Sequence, residues 1–592
     1  MGRDGSIDWC CLPHIESPSI FASILDIDRG GHFAVHPSDN FDSEQRYIEK
    51  TNILQTLFRT SSGIATLTDF MPLKEHGRTD VPAPPAIYRN VTCNKGSMQL
   101  EINFKPRFNY AHSETILRPT KRGLSATGNN ERVFLHSPFE LRTKAGEASG
   151  SCLIKEGETV WIVLQYGHEI PVNTEACQAL LKRTVEYWLS WVHSCELSKC
   201  VFGGPWHDLI VRSGLVLKLL THQETGAICA AATTSLPEEI GGVRNWDYRF
   251  NWIRDAAFTV QGLYNLGHVK EAKKHLKWFM SICRQSKEPS EIQIMYGMHG
   301  ETELKEQDLG HLSGYRNSRP VRIGNGAAKQ KQLDIYGELI NAIYETSRYG
   351  EDFPEENWHF VKKIVDYVCQ IWNTRDAGIW EVRGESRHFV YSKLMCWVAL
   401  DRGIKIAKLR GFDAPLERWK EVSDEIGNSL LLRGFSRRLN SFVQSFGSET
   451  LDATSLLIPM TGFLPFDDPH VQGTIDATLK GLMSKDGLVY RYQGEDGLPG
   501  KEGAFILCSF WLADSLTLSG RVEEAERIFT NLLKYVSPLG LLAEEIDPDT
   551  GGQLGNFPQA FSHIGLINSS LYLGMAKGKQ QMGPPPMGVA SA

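Results

Sequence analysis

Residues 175–195, EACQALLKRTVEYWLSWVHSC, mark the point at which the periodicity of the chain changes. Apolar residues recur there at steps of three and four, which is typical of an amphipathic helix. The chain before this stretch and the chain after it follow two different patterns. We therefore expect residues 174–204 to form a helical linker between two domains of different class.

The segment before the linker carries short β-type runs separated by turn signals. The clearest runs are HFAVHP, IATLTDFMP, MQLEINFKP, RVFLHS and TVWIVLQY. Alternation with period 2 is typical of strands buried on one face, and many such short strands favour two packed antiparallel sheets. We predict an antiparallel β-sandwich over residues 1–173.

The segment after the linker is helical in pattern. Runs with apolar residues at helical steps start near Trp206, Trp252, Lys270, Gln332, Glu356, Phe389, Leu416, Ala453, Gln472, Ala504, Glu523 and Pro558. Long loops rich in glycine and aromatic residues alternate with short ones, which favours six inner helices ringed by six outer helices. We predict an all-α (α/α)6 barrel over residues 205–577 with a pocket at the long-loop end. Residues 578–592 have little to bury, so we expect a disordered tail.

Charge and composition narrow the range of partners. The 592-residue chain is too long for one hydrophobic core, and its net charge of −7 gives no electrostatic reason to expect nucleic acid or an anionic membrane. A neutral oligosaccharide or disaccharide is easier to accommodate. The 14 tryptophans offer aromatic faces that suit sugar rings, although each of them is also good core material. The sequence gives no oligomeric state.

Targeting and metal-binding signals are weak. No apolar run is long enough to cross a membrane, and the opening MGRDGSIDWCC lacks the apolar core of a signal peptide, so we expect a cytoplasmic protein. The 12 cysteines form no CxxC pair and no Cys/His cluster at zinc-motif spacing; the closely spaced Cys195 and Cys200 fit no zinc pattern. We expect reduced, mostly buried thiols and neither a metal nor a cofactor.

Candidate functional residues concentrate in the long loops, where binding and catalytic groups are usually found. The densest polar and aromatic stretches are 245–255, 296–301, 314–334, 378–389 and 540–563. Hydrolysis of a glycosidic bond by inversion needs one protonated carboxyl and one ionised carboxyl. Glu381 follows Trp380, and desolvation beside aromatics favours the protonated form. Glu544 lies in an acid-rich turn, where an ionised form is easier to keep.

Residue types alone leave structural alternatives open. Glu381 could be a perturbed structural carboxylate, and the Glu544–Glu545 turn could be an acidic helix start favoured by the helix dipole. Arg254 and Asp255 could be a buried structural ion pair.

At these loops the chain resembles glycoside hydrolase family 15, and in particular its trehalase-like branch. The resemblance begins at GRDGSIDWCCLPHIESPSIFASIL, continues through TDFMP and FKPRFNYA, and reaches the late GNFPQAFSHIGLI. It implies an N-terminal β-sandwich, a helical linker and a catalytic (α/α)6 barrel. The branch carries a short stretch ahead of GRDGSIDW, whereas this chain starts almost at it, so we expect either a missing first strand or a gene model that is too short.

The resemblance also implies roles for individual residues. Glu381 of GIWEVRG matches the general acid, and Glu544 of AEEID matches the general base. Arg254 and Asp255 match residues that hold hydroxyls of the terminal glucose. Tyr248 would stack beneath that glucose, and Trp252 would form a wall of the pocket around the acid. The remaining candidates for substrate binding are Trp380 and Arg319. The chain departs from the glucoamylase pattern at Val382, where a second glutamate is usual, and at Glu545, where glutamine often follows the base.

We therefore expect an inverting, exo-acting α-glucoside hydrolase, with trehalose favoured as the substrate because no starch-binding module is present. A 1,4- or 1,6-α-glucosidase of the glucoamylase or glucodextranase type is the alternative within this family. A phosphorylase would need no base carboxylate, so Glu544 disfavours it. A sugar-binding homologue without catalysis is disfavoured by the intact pair of glutamates.

Overall fold

The computed structural model describes residues 1–73, 85–193, 200–347, 353, 355–494 and 496–579. The chain divides into two compact units. The first comprises Met1–Val192 and Leu309–Val321, and the second comprises His193–Asp308 and Arg322–Ala592. The segment Leu309–Val321, which the sequence places within the barrel, thus belongs to the first unit. The predicted tail lies outside the described residues from residue 580 onward.

The first unit is built from antiparallel strands. In chain order these are β1 (Ser6–Ile7), β2 (Cys10–Cys11), β3 (Ser19–Phe21), β4 (His32–Pro37), β5 (Asp42–Tyr47), β6 (Leu54–Arg59), β7 (Gly63–Phe70), β8 (Ala86–Lys105), β9 (Ile116–Thr120), β10 (Gly123–Gly128), β11 (Glu131–His136), β12 (Arg142–Lys144), β13 (Glu147–Lys155) and β14 (Thr159–Tyr166). Strand β8 takes part in two sheets. Its first half pairs with β7 and β14 in the order β5-β6-β7-β8-β14-β11-β10-β9, and its second half pairs with β4 and β13.

The turn of β8 from one sheet to the other occurs at Gly96. This residue has a φ of +72°, and a Cβ there would lie 2.3 Å from the carbonyl oxygen of Ser62. A residue without a side chain is therefore required. The core of the unit includes Phe21, Phe33 and Phe104, whose ring centroids lie 5.5 to 6.2 Å apart. The predicted β-sandwich is confirmed.

The linker stretch forms helix α1 (Thr174–Trp191), which starts where the sequence predicts. Its first turn is capped by the side chain of Asn173, which accepts a hydrogen bond from the backbone N–H of Ala176 at 3.2 Å. Such a cap satisfies one of the unpaired N–H groups of a helix start.

The described part of the second unit contains eleven α-helices. These are α2 (His207–Leu219), α3 (Ile253–Asn265), α4 (Val269–Cys283), α5 (Asp334–Ser347), α6 (Glu355–Ile371), α7 (Val390–Arg410), α8 (Leu416–Arg433), α9 (Pro469–Gly481), α10 (Ile506–Leu518), α11 (Val522–Leu532) and α12 (Ala560–Ala576). An inner ring closes through α3, α5, α7, a 3-10 helix at Ala453–Leu457, α10 and α12, with α12 packing back on α3. The other six helices lie outside. The helical barrel is confirmed.

Burial explains why each helix takes its position. Inner helices α10 and α12 are buried along almost their whole length and circumference. Outer helix α11 buries a single stripe of Ala525, Ile528, Phe529 and Leu532. A helix that is apolar all round needs neighbours on every side, whereas an amphipathic helix needs one.

The run predicted to begin a helix near Ala453 differs from expectation. It forms a 3-10 helix at Ala453–Leu457, capped by Asp452, and then a second 3-10 turn at Pro459–Thr461. Proline has no N–H to continue an α-helix, and Gly462 ends the segment at a φ of +80°. The two short turns still fill the inner position between α7 and α10.

Loop lengths alternate as the sequence predicts. Short loops connect inner helices to the next outer ones, such as 266–268 and 519–521, whereas long loops enter the inner helices, such as 220–252, 482–505 and 533–559. The N-terminal ends of the inner helices therefore share one end of the barrel with the long loops. Within the described ranges, no helix has both the length and the apolar character needed to cross a membrane.

Candidate active site

A cavity of about 740 Å³, counted to its open mouth, lies among the long loops of the second unit. Seven of the eight predicted site residues line it: Tyr248, Trp252, Arg254, Asp255, Trp380, Glu381 and Glu544. Loops that are far apart in sequence thus meet at one site.

Glu381 lies in the loop before α7 and has a left-handed backbone with a φ of +57°. Trp252, which directly precedes α3, donates its indole N–H to Glu381 Oε1 at 2.7 Å. The guanidinium of Arg254 lies 3.7 Å from the same oxygen, and the Glu381 side chain is 20% exposed. The carboxyl is therefore oriented by two groups from the start of α3.

Arg254 connects the start of α3 to the Glu381 loop. Its Nη1 donates to the carbonyl oxygen of Ile379 at 2.8 Å, and its Nε lies 3.8 Å from Asp255 Oδ2. Burial raises the pKa of Asp255 to about 7, against the opposing effect of the Arg254 charge. Arg254 thus fixes loop geometry as well as facing the cavity.

Trp380 forms a rigid wall beside the acid candidate. Its indole N–H donates to both carboxylate oxygens of Asp452, at 3.1 and 3.0 Å. The ring packs edge-on against Phe505, with a centroid distance of 5.6 Å. The ring orientation is therefore set by Asp452, the residue that also caps the 3-10 helix.

Glu544 is 2% exposed and lies in the loop before α12. The hydroxyl of Tyr248 donates to its Oε1 at 2.8 Å. Its Oε2 accepts no hydrogen bond from the described part of the chain. Burial raises the pKa of Glu544 to about 7, while the charge of Arg491 and the Tyr248 hydrogen bond act in the opposite direction.

The neighbouring Glu545 faces away from the cavity. It is fully buried, and its Oε2 accepts the backbone N–H of Gly503 at 2.8 Å. Its Oε1 lies 3.6 Å from Arg491, and burial raises its pKa well above the usual range. Of the two adjacent glutamates, Glu544 is the one that lines the cavity.

An aromatic pair joins the two candidate carboxyls. The rings of Tyr248 and Trp252 meet edge to face at a centroid distance of 5.5 Å. Tyr248 donates to Glu544 and Trp252 donates to Glu381. Each ring therefore restricts the other, and the positions of the two carboxyls are coupled through them.

The two environments differ from those expected from sequence. The neighbouring Trp380 suggested that Glu381 would be the desolvated carboxyl, and the acid-rich turn suggested a polar setting for Glu544. In the structure Glu544 is the more deeply buried of the two, and it directly precedes Glu545, whose strand pairs between Phe505 and Leu554.

Sequence reasoning missed a network of charges behind Glu544. Arg491 lies 2.8 Å from Glu502 and 3.4 Å from Glu238, and Arg244 pairs with Asp496 at 2.7 Å. Burial raises the pKa of Glu238 well above the usual range. The signal available was the loop 482–505, which is as polar and aromatic as those chosen and also precedes an inner helix.

The eighth candidate, Arg319, lies elsewhere. It belongs to the segment Leu309–Val321, which groups with the first unit, and it is not among the described residues that line the cavity. Its Nε donates to the carbonyl oxygen of Ser313 at 3.3 Å in an exposed position. The guanidinium groups that line the cavity are those of Arg244, Arg254, Arg383 and Arg491.

Two carboxyls facing one aromatic-lined cavity are the arrangement that glycoside hydrolases use, and this chain is a glycoside hydrolase. The model of Glycosyl hydrolases family 15 matches residues 204–571, and the model "Trehalase-like, N-terminal" matches residues 1–188. The chain belongs to glycosyl hydrolase family 15 and carries the trehalase-like N-terminal domain.

Individual relatives agree with this assignment. The chain is 39% identical to a trehalase of Thermoplasma volcanium, over 96% of this chain and 90% of that protein. It is 38% identical to a trehalase of Mycolicibacterium smegmatis, over 96% of this chain and 88% of that protein. The fold is similar to that of a bacterial glucoamylase solved with acarbose, with a TM-score of 0.71 at 14% identity over 99% of this chain and 92% of that one.

Proposed function

We propose that the chain hydrolyses trehalose with inversion, using Glu381 as general acid and Glu544 as general base. The observation that carries the proposal is that both carboxyls line one cavity, each with one oxygen held by a hydrogen bond from an aromatic side chain. The similarity to trehalases over nearly the whole chain supports the choice of substrate.

The acid step uses the free oxygen of Glu381. Because Oε1 accepts the indole N–H of Trp252, Oε2 is the oxygen that carries the proton. The C1–O bond of the bound glucose breaks, and the departing oxygen takes this proton and becomes a hydroxyl of the second glucose.

The base step uses Glu544 Oε2. This oxygen takes a proton from a water molecule as the water oxygen bonds to C1 from the face opposite the departing group. Tyr248 holds Oε1 at 2.8 Å and so fixes the direction of Oε2. At the end of the cycle Glu381 is ionised and Glu544 is protonated, and exchange of one proton with solvent restores the starting state.

The wall next to the acid supports a short substrate. Val382 lines the cavity directly after Glu381. Its apolar side chain offers no hydrogen bond to further glucose units beyond the cleaved bond, where the glucoamylase pattern has a glutamate. A disaccharide needs no such contact.

The test is to incubate the protein with trehalose, maltose, isomaltose and soluble starch and to follow the first products by proton NMR. Inverting hydrolysis of trehalose releases one α-glucose and one β-glucose before mutarotation, because only the attacked C1 changes configuration. Retention would give α-glucose only and would refute the mechanism. Faster hydrolysis of maltose or isomaltose would refute the substrate. Glu381→Gln protein prepared in parallel controls for contaminating glucosidases.

A further inference from the structure

Three side chains with metal-binding atoms meet near the start of the second unit. His193, Cys200 and His207 each bring one such atom, and the three atoms lie within 4.8 Å of one another. Cys200 is 4% exposed, and the side chain of His207 is 11% exposed. The cluster is therefore largely withdrawn from solvent but still reachable beside His207.

The best-defined distance in this cluster fits a tetrahedral metal site. His193 Nε2 lies 3.5 Å from Cys200 Sγ. With a Zn–S bond of about 2.3 Å, a Zn–N bond of about 2.05 Å and a tetrahedral angle, nitrogen and sulfur lie about 3.6 Å apart. One edge of a zinc tetrahedron is thus present before any ion binds.

The orientation of the His193 ring is set as in metal sites. Its Nδ1–H donates to the backbone carbonyl oxygen of Leu266 at 3.1 Å. That bond leaves the lone pair of the neutral ring on Nε2, the nitrogen that faces Cys200. Metal-binding histidines usually donate their other N–H to a carbonyl or carboxylate in this way.

We propose that His193, Cys200 and His207 bind one zinc-class divalent ion, with water in the fourth position. On binding, the Cys200 thiol loses its proton to solvent and a metal–sulfur bond forms, so no redox partner is needed. Two imidazoles and one thiolate select zinc-class ions over magnesium or calcium, which prefer oxygen ligands. His193, Cys200 and His207 are each seven residues apart, a spacing that matches no short zinc motif. The sequence alone therefore did not predict a metal site here.

The cluster lies far from the proposed catalytic carboxyls. Leu266 follows the C-terminal end of α3, whereas Trp252, which holds Glu381, precedes its N-terminal end. The 13 residues of this helix span about 20 Å. The ion is therefore remote from the catalytic carboxyls, and its expected effect is to raise the melting temperature without changing kcat.

Cobalt(II) provides a spectroscopic test on the full chain after treatment with EDTA and removal of the chelator. We expect one equivalent of cobalt to produce a thiolate-to-cobalt charge-transfer band together with the intense visible bands of tetrahedral coordination. One equivalent of zinc should abolish both bands and raise the melting temperature. Absence of the charge-transfer band in the wild-type protein would overturn the proposal.

Variants assign the band to the cluster. Cys200→Ser should remove the charge-transfer band and the zinc-induced rise in melting temperature, while Cys369→Ser, a half-buried cysteine of α6, should retain both. His207→Gln, at the partly exposed start of α2, should weaken zinc binding at least tenfold and serves if Cys200→Ser does not fold. The site would be refuted if the charge-transfer band persisted in both Cys200→Ser and His207→Gln. It would also be refuted if zinc changed kcat equally in the wild type and in Cys200→Ser.

Discussion

Tyr248→Phe isolates the hydrogen bond that keeps the proposed base ionised. The tyrosine hydroxyl donates to Glu544 Oε1 at 2.8 Å, and this bond lowers the pKa of Glu544, which burial raises to about 7. The phenyl ring keeps the packing against Trp252, so the substitution removes only the donor. Because a base must be ionised to act, kcat/KM should rise with pH through the pKa of Glu544 and move to higher pH in the variant.

The size of the shift follows from the strength of the bond. A hydrogen bond to a charged group contributes about 1.5–3 kcal/mol, and about 1.4 kcal/mol corresponds to a tenfold change in a protonation equilibrium. The acidic limb should therefore move upward by about one to two pH units. Near pH 6, kcat/KM of the variant should therefore be lower than that of the wild type by a factor of about 10 or more. At pH values well above the pKa of Glu544 in the variant, this difference should become smaller.

The assay is the pH profile of kcat/KM for trehalose, which reports groups of the free enzyme. Tyr492→Phe is the matched control, since its hydroxyl donates to Asp496 Oδ2 at 2.8 Å in the same cavity and not to Glu544. Its acidic limb should stay in place. A limb that is unmoved in Tyr248→Phe, or that moves to lower pH, would refute Glu544 as the base.

The remaining predictions concern the carboxyls and their closest glycine. Glu381→Gln keeps an acceptor for Trp252 but has no proton to give, so turnover should fall at least about 10²-fold with little change in melting temperature; near-normal turnover would contradict its role. Glu544→Gln should lower turnover by as much. Glu545→Gln should lower turnover less than about tenfold, because burial raises the pKa of Glu545 and an amide resembles a protonated carboxyl. If steady-state kinetics gave the reverse ranking, the base would be Glu545. Gly555→Ala should lower kcat/KM and the melting temperature together, because its Cβ would lie 2.7 Å from Glu544 Oε2 at a φ of +75°; unchanged kinetics would show that the carboxyl can move aside.

Periodicity was enough to predict the fold class and nearly every helix start. Alternation with period 2 indicates a strand that is buried on one face, and apolar steps of three and four indicate a helix that is buried on one face. The two periods therefore distinguish the β-sandwich from the helical barrel. Ala453 is the informative exception, because its apolar pattern satisfies the inner ring while Pro459 prevents an α-helix. Pattern predicts which face is buried, and local chemistry decides the type of helix.

The site was predictable only where a recognisable motif marked it. Glu381 and Glu544 follow from the family resemblance, and the structure brings both to one cavity. The partners of Glu544 were not predictable, since Arg491 and Glu238 become neighbours only when loops 253 residues apart meet. For the same reason the sequence assigned the polar environment to the wrong carboxyl: burial is a property of the assembled loops, not of adjacent residues.

The charge balance of the cavity explains how a buried carboxylate can serve as a base. Burial raises the pKa of Glu544, as it does those of its neighbours Glu238 and Glu545, whose pKa values are raised well above the usual range. At Glu544 the charge of Arg491 and the hydrogen bond from the Tyr248 hydroxyl both oppose this effect of burial. The N-terminal ends of the inner helices also point to this end of the barrel and favour negative charge there. With a pKa of about 7, Glu544 can release its proton near neutral pH and can also accept a proton from water.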